Sequence, residues 1–221
     1  MNAYWIAGVD EVGTGSWAGP AYVCGVLTPC DWSLKGLADS KELSRKQHQE
    51  LYQHAVEQSL EFKVAVVPLA SINEEGISAP LKRAKLEIVE HLRKIQPKAR
   101  VVLDGEFDFP EDWKDCWCAP KADSYVPSVM MAANIAKHLR DTYMMEQSRV
   151  YPAYGFDNHA GYGTPKHIEA LNAHGPCALH RTSYKPIQKY VEEANRKPVG
   201  VQDVSEDMYA LWRAQRGTSK T

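Results

Sequence analysis

Ile6-Ala7-Gly8-Val9-Asp10-Glu11-Val12-Gly13-Thr14-Gly15-Ser16-Trp17-Ala18-Gly19-Pro20 is the stretch on which the reading of this chain turns. The apolar run from Tyr4 to Val9 has the composition of a buried strand, and it ends in two adjacent carboxylates. A glycine-rich turn follows, and then a second apolar run from Ala21 to Leu27. A carboxylate at the end of a core strand is costly unless something pairs with it, and a divalent cation is the usual partner. Glycines in the turn permit positive φ and let a ligand come close to the backbone. The same letters also describe an ordinary strand followed by a polar turn, so the meaning depends on what the rest of the chain brings to this point.

A chain of 221 residues can bury a sizeable core. Its 44% hydrophobic and 24% charged residues are those of a soluble globular protein. A net charge of −2 gives no global attraction to nucleic acid, so any such binding must rest on local basic groups. No apolar run reaches the roughly 18–20 residues of a membrane-spanning helix, and the first strand leaves no room for a secretory signal. The five cysteines (Cys24, Cys30, Cys116, Cys118 and Cys177) are odd in number and sit mostly in apolar surroundings. That pattern predicts reduced thiols and a cytoplasmic location. Cys116 and Cys118 alone fall short of the four ligands of a structural zinc site and read as alternating strand residues.

Outward from the opening stretch, Ser44 and Gln47 make a capping box that opens a helix running to about Leu60. Phe62–Val67 reads as a third strand. Ser71 and Glu74 give another capping signature, followed by one helix whose face is marked by Leu81, Ala84, Ile88, Leu92 and Ile95. Val101-Val102-Leu103 repeats the first pattern, a short apolar run that delivers Asp104-Gly105. A strand near Cys116–Lys121 leads to Asp123, just ahead of a helix from Pro127 to about Met145 that is apolar almost all round and should be buried. Residues 151–167 form a glycine- and aromatic-rich loop, and Thr164-Pro165 starts a further helix. A short helix follows from Pro186 to Asn195, then a linker at Lys197–Gly200 and a last helix after Ser205. The order of elements predicts an α/β fold with a central mixed five-stranded sheet flanked by helices. Residues 1–150 are expected to form the catalytic body, and 151–221 a substrate loop and helical portion packed on it.

Asp10, Glu11, Asp104 and Asp123 each stand at or near the end of an apolar element. If those elements are neighbours, the acids converge, and four carboxylates cannot share a site unless cations neutralise them. All-oxygen coordination favours Mg²⁺ or Mn²⁺, and two ions about 3.5–4 Å apart suit phosphodiester cleavage. Asp10 and Glu11 carry one geometric condition. Adjacent strand residues point to opposite faces, so both reach one site only if the strand ends or bulges there.

The segment from Ile6 to Pro20 resembles the opening motif of ribonuclease HII, I-A-G-V-D-E-V-G-R-G-x-x-A-G-P. The resemblance continues through Asp39-Ser40-Lys41-x-Leu43, Leu103-Asp104-Gly105 and Lys121-x-Asp123 with Ser128 and Ala132 to Lys137. It closes with Tyr154-Gly155-Phe156, Gly161-Tyr162-Gly163-Thr164 and His180-Arg181-x-Ser183. It implies a ribonuclease H-like fold and hydrolysis of RNA in RNA/DNA hybrids, with cleavage 5′ of ribonucleotides embedded in DNA. It further implies that Asp10, Glu11, Asp104 and Asp123 are the metal-binding catalytic acids and that Tyr162 stands at the RNA–DNA junction. Gly13, Thr14, Gly15, Ser40, Lys41 and Arg181 are the expected substrate contacts, Lys41 and Arg181 as phosphate ligands. Four positions depart from the family pattern. Thr14 stands where Arg is usual, Ala160 where Lys is usual, and Gly76 and Pro80 where Asn and Ala are usual. The first two each remove a cation from the nucleic-acid face and leave the metal site untouched. The expected partners are RNA/DNA hybrid and ribonucleotide-containing DNA, with no membrane, and the chain is expected to act as a monomer. Two rival readings are a DNA nuclease or strand transferase on the same acids, and an inactive nucleic-acid-binding relative.

Overall fold

In a computed structural model, residues 4–58 and 60–196 are described. Strand β1 (Trp5–Val12) is the centre of a five-stranded sheet. On one side it pairs antiparallel with β2 (Ala21–Pro29), which pairs antiparallel with β3 (Glu61–Val67). On the other it runs parallel to β4 (Arg100–Asp104), which runs parallel to the edge strand β5 (Cys116–Ala119). The order is therefore β3-β2-β1-β4-β5, the mixed sheet that the sequence predicts. β1 and β2 are central and covered on both sides, which is why their sequences read as continuous apolar runs rather than alternating ones.

Helices cover both faces. The capping box opens α1 (Arg45–Glu57), with the Ser44 side chain accepting from the Gln47 N–H and the Gln47 side chain returning the bond. The single helix expected from Ser71 to Ile95 is instead two, α2 (Leu69–Glu75) and α3 (Ser78–Ile95). Gly76 separates them with φ of 76°, a left-handed conformation that a helix interior cannot accommodate. Ser71 and Glu74 thus lie inside α2 rather than at a cap. A 3-10 turn at Ala122–Ser124 leads into α4 (Pro127–Val150), the long buried helix, which runs one turn past its expected end.

The pleat assigns each strand residue to a face. Ala7 and Val9 of β1 pack with Ile88, Val89 and Leu92 of α3. On the opposite face, Tyr22, Cys24 and Val26 of β2 pack with Met131 and Ile135 of α4. Gly8 points to the α4 side, where a Cβ would overlap the backbone of Ser128 and Val129, so β1 and α4 are in close contact there. That closeness brings the start of α4 to the end of β1.

Beyond Val150 the chain forms a 3-10 turn (Pro152–Tyr154) and three helices, α5 (Phe156–His159), α6 (Pro165–His174) and α7 (Lys185–Arg196). Their apolar residues, among them Tyr154, Phe156, Leu171 and Ile187, gather with Ala18 and Met144 into a cluster of their own. Ala18 and His180 make an isolated antiparallel bridge, which ties this helical portion to the turn after β1. The expected linker at Lys197–Gly200 and the helix after Ser205 lie outside the described residues. No helix among the described residues is long and apolar enough to cross a membrane.

Candidate active site

Three of the four predicted acids meet. Asp10 is an even-numbered residue of β1 and so faces α4. In the parallel register Val9 pairs with Leu103, which sets Asp104 at the same level on the neighbouring strand. Two residues earlier, Val102 packs with Ala122 and Val129, so Asp104 also faces α4. Asp123 arrives from the 3-10 turn that precedes α4. One carboxylate oxygen from each of the three lies within 4.8 Å of the others. Two are oriented by backbone N–H groups: Asp10 Oδ1 accepts from Glu11 at 2.7 Å, and Asp104 Oδ1 accepts from Ala122 at 2.7 Å. Asp123 Oδ2 accepts from the Lys41 ammonium at 2.7 Å. Burial, with the charges of Glu11, Asp104 and Asp123 added, pushes the Asp10 carboxyl well above the usual carboxylate range. A cluster of acids held at such a cost is a site prepared for a cation.

Glu11 does not join them. β1 stays regular as far as Val12, which still pairs with Tyr22, so no bulge turns Glu11 toward Asp10. Strand alternation sends it to the α3 face, where its Oε2 lies 2.9 Å from the Lys85 ammonium. The approach makes an ion pair without a directed hydrogen bond. Lys85 belongs to α3, and its side chain is 5% exposed.

The turn after β1 is held from below by two buried guanidinium groups. Arg181 Nη2 donates to Gly13 O at 2.7 Å, Nη1 to Thr14 O at 2.8 Å and Nε to Gly19 O at 2.9 Å. Tyr184 Oη also donates to Thr14 O, at 2.6 Å. This corrects the expectation that Arg181 binds phosphate, because it is fully buried and its donors are used on the turn's own carbonyls. Arg140 of α4 donates from Nε to Pro20 O and from Nη2 to Ser16 Oγ and Ala18 O. Gly13 has φ of 84°, and a Cβ there would overlap the Arg140 guanidinium. Glycine is therefore required at this position both by dihedral and by space. Gly15, by contrast, is exposed with open space beside it, and Thr14 is half-buried.

Tyr162 lies above the same arginine, with the Arg140 guanidinium carbon 5.4 Å from its ring centroid. Its carbonyl is fixed by a histidine relay whose tautomers follow from the partners. The Tyr162 carbonyl can only accept, so His167 donates to it from Nδ1 at 3.0 Å, which leaves His167 Nε2 as an acceptor. His180 must then donate from Nε2 across 3.0 Å, and its Nδ1 accepts from the Cys177 N–H at 2.8 Å. Each imidazole is neutral in this arrangement. Burial agrees, lowering both His167 and His180 to about 4.

Lys41 and Ser40 lie in the loop ahead of α1. Asp39 Oδ1 accepts from the Lys41 N–H at 2.9 Å, and Asn134 of α4 donates to Ala38 O at 3.0 Å while its Oδ1 meets His48 Nδ1 at 2.7 Å. The loop is thereby pinned to the helix that starts beside Asp123. The Lys41 side chain is 76% exposed even while paired, and Ser40 is half-buried. Lys137 pairs with Asp141 on its own helix. Sequence reasoning missed Arg140, Asn134, His48 and Lys85. Arg140 and Asn134 had a readable signal, since polar residues inside a helix apolar almost all round must be satisfied within the core.

A mixed sheet in the order β3-β2-β1-β4-β5, with acids at the ends of β1 and β4 and ahead of the last long helix, defines the ribonuclease H-like class of metal-dependent hydrolases. Residues 7–187 match the sequence model for ribonuclease HII. A ribonuclease HII of Xylella fastidiosa (strain M12) is 38% identical over 193 residues, covering 85% of this chain and 80% of that protein. One from Halalkalibacterium halodurans is 36% identical over 187 residues, covering 83% of this chain and 68% of that protein. The chain belongs to the ribonuclease HII family and is a hydrolase acting on phosphodiester bonds. Among solved structures, the ribonuclease H2 of Pyrococcus horikoshii superposes with a TM-score of 0.68 at 22% identity, covering 87% of this chain and all of that one. A Bst ribonuclease HIII solved with Mn²⁺ gives 0.62 at 22% identity, covering 88% and 71%. At those identities they support the fold.

Proposed function

We propose that this enzyme is an endoribonuclease that hydrolyses the RNA strand of RNA/DNA hybrids and cuts 5′ of ribonucleotides embedded in duplex DNA, leaving 3′-hydroxyl and 5′-phosphate ends. The observation that carries the reading is the meeting of Asp10, Asp104 and Asp123, with oxygens within 4.8 Å of one another, near the carboxyl ends of β1 and β4. The donor set fits a hard divalent cation: three carboxylates, no sulfur or imidazole, and among the described residues only Lys41 paired with them. Bound there, two Mg²⁺ or Mn²⁺ ions would supply an activated water and charge for the leaving oxygen.

This chain's own residues do the remaining work. The backbone N–H groups of Asp104's and Asp10's neighbours aim the carboxylates before any ligand arrives. Lys41 holds Asp123 and presents an exposed charge to a phosphate at the same place. The turn at Thr14-Gly15 offers backbone N–H groups with no side chain at Gly15 to keep a nucleic-acid backbone away. Tyr162, supported by Arg140 beneath its ring, stacks on the ribonucleotide sugar and reads the 2′-OH, the group that separates RNA from DNA. All five cysteines are free, which fits a reducing compartment.

The test is cleavage of three labelled duplexes in Mg²⁺ or EDTA: one with a single ribonucleotide, one all-DNA and one RNA/DNA hybrid. Cutting of the first and third only, and only with metal, is expected. Tyr162→Ala should slow cleavage at the single ribonucleotide more than within the hybrid, because a hybrid offers many registers and a lone ribonucleotide offers one. Equal losses on both would leave Tyr162 a packing role, and cutting of all-DNA would make the enzyme a DNA nuclease.

A further inference from the structure

His167 and His180 take no part in the chemistry above, yet they join the two surfaces assigned to substrate. Tyr162 lies in a tight turn whose carbonyl accepts from the Thr164 N–H at 2.8 Å and from His167 Nδ1 at 3.0 Å. His167 grips that turn a second time, its own N–H donating to Thr164 Oγ1 at 3.3 Å. Across the ring, His167 Nε2 meets His180 Nε2 at 3.0 Å. His180 belongs to the other surface. Its backbone bridges to Ala18, and the next residue, Arg181, donates from its N–H to Trp17 O at 2.8 Å and from its guanidinium to Gly13 O and Thr14 O. Both imidazoles are fully buried and wedged between rings. His159 stacks on His167 with centroids 4.6 Å apart, Phe156 stands edge-on to His167 at 5.6 Å, and Tyr154 lies against His180 at 5.0 Å. Rings packed this closely have little freedom to turn, so the bond between them fixes a distance.

We propose that the His167–His180 hydrogen bond is a brace that sets the spacing between the Thr14-Gly15 turn and Tyr162, and with it the preference for a lone ribonucleotide at one fixed position. The inference rests on the reading that Tyr162 reads the 2′-OH. A duplex whose backbone lies over the turn brings one sugar to Tyr162, and that sugar is read only if the two surfaces stand the right distance apart. When the spacing drifts, a long hybrid can present another 2′-OH, whereas a lone ribonucleotide has no second one to offer. His167 and His180 therefore act through Tyr162, as positioning residues that touch no substrate. Neutral imidazoles suit the task, because a bond between two uncharged rings can be buried without a counter-ion.

The test is the ratio of two single-turnover rates in Mg²⁺, one on a duplex with a single ribonucleotide and one on an RNA/DNA hybrid, measured with the full chain. His180→Leu and His167→Asn both break the brace. The asparagine amide can still donate to the Tyr162 carbonyl, but it is too short to reach His180. Each variant should lower the ratio about three- to tenfold, the scale of one hydrogen bond. His180→Gln, whose amide can donate to His167 Nε2, should restore most of it. Neither brace variant should lower the ratio further in a Tyr162→Ala background. Melting curves fix a temperature at which the variants are folded, and His167→Asn, the milder change, decides the matter if His180→Leu does not fold. An unchanged ratio in His167→Asn, with Tyr162→Ala still lowering it, overturns the brace and leaves the reading of Tyr162 in place. A further fall in the Tyr162→Ala background overturns it too, because the histidines would then act by another route. A ratio that Tyr162→Ala itself leaves unchanged overturns the reading of Tyr162, and the brace with it.

Discussion

The acid triad and the glycine turn stand at the same end of the sheet, and they treat buried charge in opposite ways. Asp10, Asp104 and Asp123 crowd three carboxylates together with one largely exposed lysine to offset them. Beneath residues 13–20, Arg140 and Arg181 are fully buried, and neither has a carboxylate within ion-pairing distance among the described residues. Arg181 is nevertheless settled, and Arg140 largely so, because backbone carbonyls of the turn, the Ser16 hydroxyl and the Tyr184 phenol take their donors, leaving the buried Arg140 Nη1 without a hydrogen bond. The acids are not settled. A polar cluster whose partners come from the fold builds shape, and one whose partners are lacking awaits a ligand. Removing a charge should therefore have opposite consequences for stability in the two regions.

The largest effect should come from the acids. Asp10→Asn removes one of three ligands and should cost on the order of 10³-fold or more in single-turnover rate. The same change should stabilise the metal-free protein. The folded Asp10 carboxyl is raised above its ordinary value of 3.8, so the fold favours its protonated form. Stability from this group is full at acid pH and is lost as pH rises through the raised value. Asparagine removes that penalty. Melting in EDTA at pH 8 should occur higher for Asp10→Asn than for wild type, by roughly 2–4 °C per kcal/mol relieved, with the gap closing toward pH 4. A lower melting point for the variant at pH 8 would remove the contrast between the two regions.

Arg181 should behave in the opposite sense. Arg181→Met leaves the carbonyls of Gly13, Thr14 and Gly19 with fewer donors in a buried setting, at roughly 1–3 kcal/mol for each one left unsatisfied. Thermal melting should fall by several degrees, and Arg181→Lys should rescue little, because an ammonium cannot span three carbonyls with fixed fork geometry. Unchanged melting together with weaker binding of hybrid would restore the phosphate-ligand role that the sequence suggests.

Why the sequence pointed to Arg181 as a phosphate ligand, and yet located three acids, has a physical answer. Asp10 and Asp104 were legible because each ends an apolar run, and the period of a strand then sets the face. Asp123 was legible from its place ahead of a buried helix. The same period also carried the warning about Glu11, and whether β1 bulged could only be decided by the Val12–Tyr22 pair. Burial of an arginine leaves no such local pattern. Arg181 sits in a compact polar segment, His180-Arg181-Thr182-Ser183, that reads as surface, and it is buried by contacts with residues more than 160 positions away. The helix break at Gly76 was partly visible, since glycine there departs from the family pattern, but its left-handed φ was not.

The smallest and most specific effect concerns Thr14, which stands where the family pattern has arginine. The backbone of this turn is fixed by groups that a substitution at Thr14 leaves alone: its carbonyl accepts from Arg181 at 2.8 Å and from Tyr184 at 2.6 Å. The side chain is half-buried, and the adjacent Gly15 is exposed with open space, so a longer residue at position 14 has room to extend into solvent. Thr14→Arg therefore adds a third cation to the turn without disturbing the two beneath it. Arg140 and Arg181 cannot reach a phosphate because both are fully buried, whereas the new guanidinium would be free to take a phosphate bidentately. We expect tighter binding to hybrid duplex, an unchanged cleavage position, and steeper salt dependence. Each added phosphate contact should steepen the slope of log K against log salt by about 0.9 for duplex DNA. The measurement is a binding titration across salt concentrations in an Asp104→Asn background, with and without the added arginine. A steeper slope would show that the turn meets the phosphate backbone and that the buried arginines, for all their charge, supply shape rather than contact. Equal slopes and affinities would place the nucleic acid elsewhere than over Thr14 and would shift the search for phosphate ligands to Lys41 and its loop.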